Sequence, residues 1–463
     1  MMPVSAQWVA NAVGGMLAAE VDVQVTSVEK DSRDVSPGAL YVAFVGEHVD
    51  GHDFVPQAMQ AGAVVALVSQ PVNAPHIMVD DVTAALGKLA RAYLAHLRLQ
   101  GQLTVIGITG SNGKTTTKDL LAQMLPAVVA PVGSFNNEIG LPLTVLRADS
   151  STRHLVMEMG ASAPGDIEYL TSIAPLDIAV VLVVGSAHLG SYSSMDALAA
   201  EKATLLDGLL PGGAAVLNAD DARVAAMARR AGLAESGARV RMFGSVGDGV
   251  DVAASQVGLR RGCPSFALHL GDTDAPVALR LVGEHHLTNA LAAAATALEC
   301  GMALPEVATA LSQARALSGH RMAVTDRPDG VTVIDDSYNA SPESMRAALR
   351  ALLAVAEGGR TVAVLGEMLE MGDMSLKEHL DIGHDVVRLG IDQLVVVGPG
   401  AKAIHESAVR EGSWGDEAVY VATIGEAHHH LEEYLAAGDT VLVKASQGAG
   451  LWKLADQLVG VNE

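Results

Sequence analysis

Apolar residues along this chain fall into two patterns that take turns: short continuous runs, and longer stretches with helical spacing. From "LTVIGITG" onward the short runs "HLVMEMGA", "IAVVLVVG" and "AAVLNADD" are separated by amphipathic segments. Runs of strand length alternating with helical ones predict a mostly parallel sheet with helices on both faces. The strand-like "VDVAASQVGL", "SFALHLG" and "PVALRLVG" (251–283) follow one another without helices between them. An antiparallel edge or a small extra sheet is expected there, followed by helices near 287–300 and 305–316. A second alternating series starts near 330 with "GVTVIDDS", "TVAVLGEM", "QLVVVGPG", "AVYVA" and "TVLVKAS", and reads as a separate doubly wound domain. Before both blocks, residues 1 to about 98 carry the short strands "ALYVAFVG" and "AVVALVS" and close with the helix "VTAALGKLARAYLAHLRLQG". Linkers are expected near 98–102 and 315–320, giving three domains over 1–99, 100–317 and 318–463.

Composition supports this picture. Half of the 463 residues are hydrophobic but only 3% are aromatic, which favours small aliphatic side chains packing helices onto sheets. Thirty basic against 53 acidic residues leave a net charge of −23, a surface that repels nucleic-acid phosphates and anionic lipid. A phosphorylated substrate would need a locally positive pocket or bridging metal ions. Two cysteines, Cys263 and Cys300, make no disulfide framework and suit a reducing compartment. The opening "MMPVSAQWVANAVGGMLAAE" has no basic region ahead of its apolar residues, so an ordinary amphipathic helix is expected rather than an export signal. The longest apolar runs are far short of a membrane span, and a cytoplasmic protein is expected.

The stretch "GITGSNGKTTTKDLL" (107–121) lies between an apolar strand and a helix, the setting of a phosphate cradle. Gly110 and Gly113 would let the backbone N–H groups of Ser111, Asn112 and their neighbours approach phosphates. Lys114 can reach the β- and γ-phosphates, the hydroxyl of Thr115 can ligate Mg²⁺, and Thr116 continues the loop into the helix. The standard G-x-x-x-x-G-K-[ST] spacing would require glycine where the chain has Ile108. The spacing present, "TGSNGKTT", resembles the loop of the Mur ligase superfamily, ATP-dependent enzymes that join amino acids to a carboxylate and count folylpolyglutamate synthetase among their relatives.

Four more stretches, "DSRDVSPGALYVAFVGEHVDGHDF" (31–54), "FNNEIGLPLT" (135–144), "DDSYNASPESM" (335–345) and "GEMLEMG" (366–372), resemble the D-alanyl-D-alanine-adding type within that superfamily. The resemblance implies an α/β protein with an N-terminal α/β substrate domain, a central P-loop mononucleotide-binding parallel sheet with an antiparallel addition, and a C-terminal Rossmann-like doubly wound sheet. It implies a monomer that takes UDP-N-acetylmuramoyl-tripeptide and D-Ala-D-Ala as substrates, with ATP and two Mg²⁺ ions. The tripeptide carboxylate would become an acyl phosphate before the dipeptide amine attacks it.

Residue roles follow by the same resemblance. Glu158 in "VMEMGA" would coordinate Mg²⁺, although a strand-end carboxylate can also cap a neighbouring helix. His188 in "GSAHLGS" would hold a second Mg²⁺, and Lys202 in "ALAAEKATLL", carbamylated by CO₂, would support that ion; read alone, they are a loop histidine and a solvated helix lysine. "HLGSYSS" lacks the acidic residue often found there. Asn136 and Asn137 offer uncharged amides to phosphate or substrate oxygens, or serve their own turn. Asn289 would contact adenine, with His285-His286 standing where relatives have His-Asn. Arg321 would reach the phosphates when the domains close, or form an interdomain salt bridge. Asp336, Tyr338 and Asn339 would hold the ribose and phosphate end of ATP and the dipeptide, ahead of an expected helix cap at Ser341 and Pro342. Ser32 and Arg33, beside Asp31, would bind the UDP part, with Gly51, His52, Asp53 and Phe54 shaping that pocket. Near the C-terminus Lys444 and Ser446 match relatives, while Gln447 replaces an arginine. The triplet in "GEAHHHLEE" is expected on a surface helix, because consecutive helical residues diverge. Two rival readings are an amide ligase adding a single amino acid and a nucleotide-binding scaffold without catalysis.

Overall fold

The structure, a computed structural model, describes residues 1–18, 22–46, 48–131, 133, 135–185, 189–412 and 416–460. Three main sheets follow one another along the chain. The first has five strands in the order Met16–Leu17, His76–Met78, Val65–Val68, Ala39–Val42 and Ser27–Glu29, parallel except at the first pair. A short antiparallel ribbon, Val4–Ser5 with Gln24–Val25, lies beside it. The expected closing helix is Val82–Gln100, capped by Asp81. Its Leu86, Leu89 and Tyr93 are fully buried, and the Tyr93 hydroxyl accepts from the Met2 N–H at 2.7 Å and donates to the Ala148 carbonyl at 2.7 Å. One side chain thus joins the first unit to the second.

The central sheet has nine strands. Thr104–Thr109 lies between Leu176–Val181 and His154–Glu158, and Val128–Val129 completes that edge. On the other side come Leu209–Asn218, Arg239–Ser245 and Val252–Arg260, all parallel. Cys263–Leu270 and Thr273–Ala278 then add antiparallel. Of the two expectations for the helix-free stretch, the antiparallel edge is the one observed. Helix His286–Glu299 packs on this sheet through Ala290 and Ala292–Ala295, whose small side chains permit close approach.

The third sheet runs Ala323–Asp326, Thr332–Asp336, Thr440–Lys444, Thr361–Leu365, Gln393–Val397 and Ala418–Val421, parallel apart from its first strand. That first strand, "AVTD", is mostly exposed, so no apolar run announced it. The carboxyl ends of Thr104–Thr109 and His154–Glu158 face those of Thr332–Asp336 and Thr440–Lys444 across one cleft, where open α/β sheets hold ligands.

Helices Ser375–Arg388 and Lys402–Glu411 pack closely at Gly383, where a Cβ would stand 2.3 Å from the Ile404 carbonyl oxygen. Gly383→Ala should therefore destabilise the protein by about 1–3 kcal/mol, the usual penalty of overpacking. Calorimetric unfolding should show a lower Tm, with nucleotide affinity unchanged below the transition.

Candidate active site

Strand Thr104–Thr109 and helix Lys114–Met124 enclose the glycine turn as expected. Gly113 has φ +89°, and a Cβ there would lie 2.2 Å from the Asn289 Oδ1. The turn is tied to the neighbouring strand end: the Ser111 N–H donates to the Val183 carbonyl at 2.9 Å, and the Ser111 hydroxyl donates to the Gly185 carbonyl at 2.9 Å. The Lys114 ammonium folds back on its own loop and donates to the Gly110 carbonyl at 2.6 Å.

At the second residue of the helix, the Thr115 hydroxyl donates to Oε2 of Glu158 at 3.1 Å. Glu158 ends strand His154–Glu158, is fully buried, and its Oε1 has no hydrogen-bond partner. It therefore does not cap a helix through that oxygen. Burial pushes its carboxyl above the usual range, while Arg321, Lys118 and Lys114 oppose the rise. Burial pulls the Lys114 ammonium below an ordinary lysine, with Glu158 opposing and Arg321 adding to the fall. Lys202 is 1% exposed, on helix Met195–Ala203. Burial, helped by the charge of Lys114, brings it down to about 7. Its neighbour Glu201 orients that helix by accepting the N–H groups of Gly165 and Ile167. Lys202 is thus a buried amine rather than a solvated one. His188 lies outside the described residues.

A cavity of about 430 Å³ opens between the glycine turn and the third sheet. It gathers Ser111–Thr116, Asn136, Glu158, Asn289, Arg321, Asp336, Tyr338 and Asn339 on one wall or another. The guanidinium of Arg321 lies over the Tyr338 ring at 4.1 Å. Its placement follows from its neighbour: His320 has φ +58°, its Nδ1 meets Asp335 Oδ2 at 2.7 Å, and its carbonyl accepts the Tyr338 N–H at 3.0 Å. The Lys444 ammonium, 1% exposed as a residue, donates to Asp336 at 2.5 Å and to the Asn339 carbonyl at 2.8 Å. Ser341 caps helix Pro342–Ala356 by accepting the Ser344 N–H, and the Asn112 amide reaches the Ser341 hydroxyl at 3.4 Å across the cleft. Ser446 accepts the Leu369 N–H at 3.0 Å, and Gln447 is exposed at the start of a short turn.

His285 and His286 both line the cavity, with ring centroids 4.2 Å apart. Desolvation within the cleft lowers His285, whose surface is open to the cavity, to about 4, and burial holds His286 well below the usual value, so both rings are neutral near pH 7. Their uncharged faces suit an aromatic base. The Asn289 amide lies 3.3 Å from the His286 Nδ1.

The two asparagines of "FNNEIG" separate. Asn137 accepts the Gly140 N–H at 2.9 Å and caps its own helix, Gly140–Leu146, while Asn136 walls the cavity. Asn136 and Asn137 also line a second cavity of about 640 Å³, between the start of helix Val82–Gln100 and residues 160–170. Ser32 and Arg33 lie apart from both cavities, on the first unit; Ser32 is buried and Arg33 is exposed in a pair with Asp31 at 2.5 Å. His52 is buried, accepts the Ser69 N–H at 3.0 Å and meets Asp50 at 2.6 Å, so it shapes its loop. In helix Ile424–Tyr434, His428 and His429 pair with Glu432 and Glu433 while His430 stacks on Tyr434, three separate directions.

Sequence reasoning missed Lys118, buried beside Glu158, and Glu343, on the cavity wall facing Gly185. Lys118 sits one helical turn beyond Lys114 on the same face, a spacing visible in "GKTTTKD". Glu343 gave no signal beyond an acidic first-turn residue.

Models of three families match in order: the Mur ligase family catalytic domain over 24–94, the Mur ligase middle domain over 108–297, and the Mur ligase glutamate ligase domain over 320–447. The UDP-N-acetylmuramoyl-tripeptide–D-alanyl-D-alanine ligase of Mycobacterium bovis is 46% identical across 99% of this chain and 98% of its own. Among solved structures, MurF from Acinetobacter baumannii superposes with a TM-score of 0.87 at 31% identity, covering 99% of each chain. MurF ligase from Thermotoga maritima in complex with ADP gives 0.79 at 28%, covering 94% of this chain and 98% of its own.

Gly113→Ala combines a left-handed backbone with a collision against Asn289. It should weaken ADP binding by about 1–3 kcal/mol, roughly 5- to 150-fold, in a calorimetric titration. Adding Asn289→Ala should recover only the part due to collision.

Proposed function

Because the chain belongs to the Mur ligase family, we propose that it joins D-Ala-D-Ala to the terminal carboxylate of UDP-N-acetylmuramoyl-tripeptide at the expense of ATP, in peptidoglycan precursor synthesis. One observation carries the reading: a phosphate loop, a buried carboxylate oxygen without a hydrogen bond and an arginine from the far unit meet in one cleft. They do so in a chain similar along nearly its whole length to a ligase of that name.

In the first step a carboxylate oxygen of the tripeptide attacks the γ-phosphorus of ATP, forming an acyl phosphate and releasing ADP. In the second the dipeptide amine attacks the acyl carbon, loses a proton, and phosphate leaves as the amide forms. Two anions must approach in the first step, so positioned cations matter more than a protein nucleophile. Lys114 would exchange the Gly110 carbonyl for the phosphates, backbone N–H groups of Asn112–Thr116 would hold them while the Ser111 N–H stays on the Val183 carbonyl, and Arg321 would add a cation from the opposite wall. Thr115 and Glu158 fit Mg²⁺: both present hard oxygens, and the buried Oε1 of Glu158 lacks a hydrogen bond. Magnesium, when bound there, screens charge between the reacting anions. His188 and Lys202 are assigned to a second ion. Asn289, with the neutral His285 and His286, would face adenine, and Asp336, Tyr338 and Asn339 the ribose side and the acceptor. Asn136 would meet the tripeptide and Ser32 with Arg33 the UDP group, while Asn137 supports its turn. Among the described residues no helix is long and apolar enough to cross a membrane. ATP consumption assigns the reaction to the cytoplasm, and one chain supplies every described residue invoked.

Purified protein given ATP, Mg²⁺ and UDP-tripeptide, with either diaminopimelate or lysine at the third position, should release ADP and form a new amide only when D-Ala-D-Ala is added. Turnover with single amino acids instead would assign it to another branch of the family.

An amine with a pKa near 7 is neutral often enough to add CO₂, yielding a carbamate and a proton. Activity should fall as pH drops through about 7, where the protonated amine can no longer react. Carbon-13 bicarbonate should label a carbamate resonance that Lys202→Ala abolishes, and short carboxylates should restore part of that variant's lost turnover.

A further inference from the structure

Lys118 has no part in the chemistry above, yet it is 2% exposed, with its ammonium about as deeply placed as Glu158. A desolvated ammonium persists only where acceptors surround it. Here the acceptors come from separate segments. The ammonium donates to the carbonyls of Pro131 at 3.0 Å and Gly133 at 3.2 Å, pairs with Asp119 at 2.7 Å, and stands 3.9 Å from Oε1 of Glu158.

The segment that Lys118 grips leads directly to Asn136. Its carbonyl accepts the Gly160 N–H at 2.9 Å, and a Cβ on Gly160 would come within 3.1 Å of that oxygen, so the two backbones lie flush. Phe135 meets the first unit, with the Lys30 ammonium 5.9 Å from its ring centre, next to Asp31–Arg33. Asn136 is part of the wall of both the 430 Å³ and the 640 Å³ cavities.

We propose that Lys118 is a positioning residue for the carboxylate substrate: its ammonium holds the backbone at Pro131 and Gly133, just ahead of Asn136, so that Asn136 stands where the two cavities adjoin. The nucleotide loop does not depend on this grip, since Ser111 is anchored independently to Val183 and Gly185. Loss of the ammonium therefore separates recognition of the two substrates. The assignment deepens the ligase reading and rests on it.

The test uses the full chain with Lys118→Met and Lys118→Gln, the second keeping a donor for the carbonyls. Lys118→Met should raise the KM for UDP-tripeptide at least tenfold while the calorimetric Kd for ADP stays within threefold, and Lys118→Gln should show the same split at smaller amplitude. Hydrogen exchange in the peptide spanning 131–139 should accelerate in Lys118→Met, with helix Lys114–Met124 unchanged. A UDP-tripeptide KM equal to wild type, or equal losses for both substrates, overturns the proposal. Should Lys118→Met fail to fold, Lys118→Gln decides by the same split. Wild-type protein that does not ligate at all counts against the ligase reading instead. Hydrogen exchange then decides the grip, with unchanged exchange at 131–139 overturning it.

Discussion

A carboxylate sunk at a strand end, with one oxygen lacking a hydrogen bond, is the constraint around which this molecule is arranged. Lys114, Lys118 and Arg321 offset the cost of burying Glu158 there, and they arrive from two sides. Lys114 and Lys118 come from successive turns of one helix, Arg321 from a segment leading into another sheet. Removing a partner from such a buried group costs several kcal/mol. Fold and chemistry are therefore coupled at this point: two of the charges that make the interior acceptable, Lys114 and Arg321, are those that let negatively charged reactants come together.

The same logic explains how a chain of net charge −23 can receive polyanions. The long-range field is unfavourable, but the cleft is lined locally by lysine, arginine and oriented N–H groups. Burial makes these local charges count for more than the distant surface, which solvent and salt screen. Lys444, neutralised by Asp336, contributes shape rather than net charge, and the two neutral histidines add none.

Elements with strong periodicity were legible in the chain. The parallel strands Thr104–Thr109, His154–Glu158, Leu176–Val181 and Leu209–Asn218, helix Val82–Gln100 and the glycine turn are where apolar runs and turn chemistry put them, whereas the parallel strand Arg239–Ser245, with two arginines in its first half, carried no apolar run. The short exposed strand Ala323–Asp326 was not, because a polar edge strand carries no apolar signature. At the site, Lys114, Thr115, Glu158, Arg321 and Asp336 could be assembled from motifs. The division of labour between Asn136 and Asn137 could not, since it depends on which amide the turn consumes for its own cap. Lys118 escaped notice for a related reason: a lysine in a polar helix face reads as solvated until the loop that buries it is seen.

Tyr93 carries a last consequence. By bonding to Met2 on one side and Ala148 on the other, it ties helix Val82–Gln100 to both of the first two units. The spacing between the Asp31–Arg33 segment and the phosphate loop is then set in part by where that helix sits. On the proposed assignment of Ser32 and Arg33 to the UDP group, a molecule engaging both ends would be gauged by its length, and a peptide one residue too short would present its acid group out of reach.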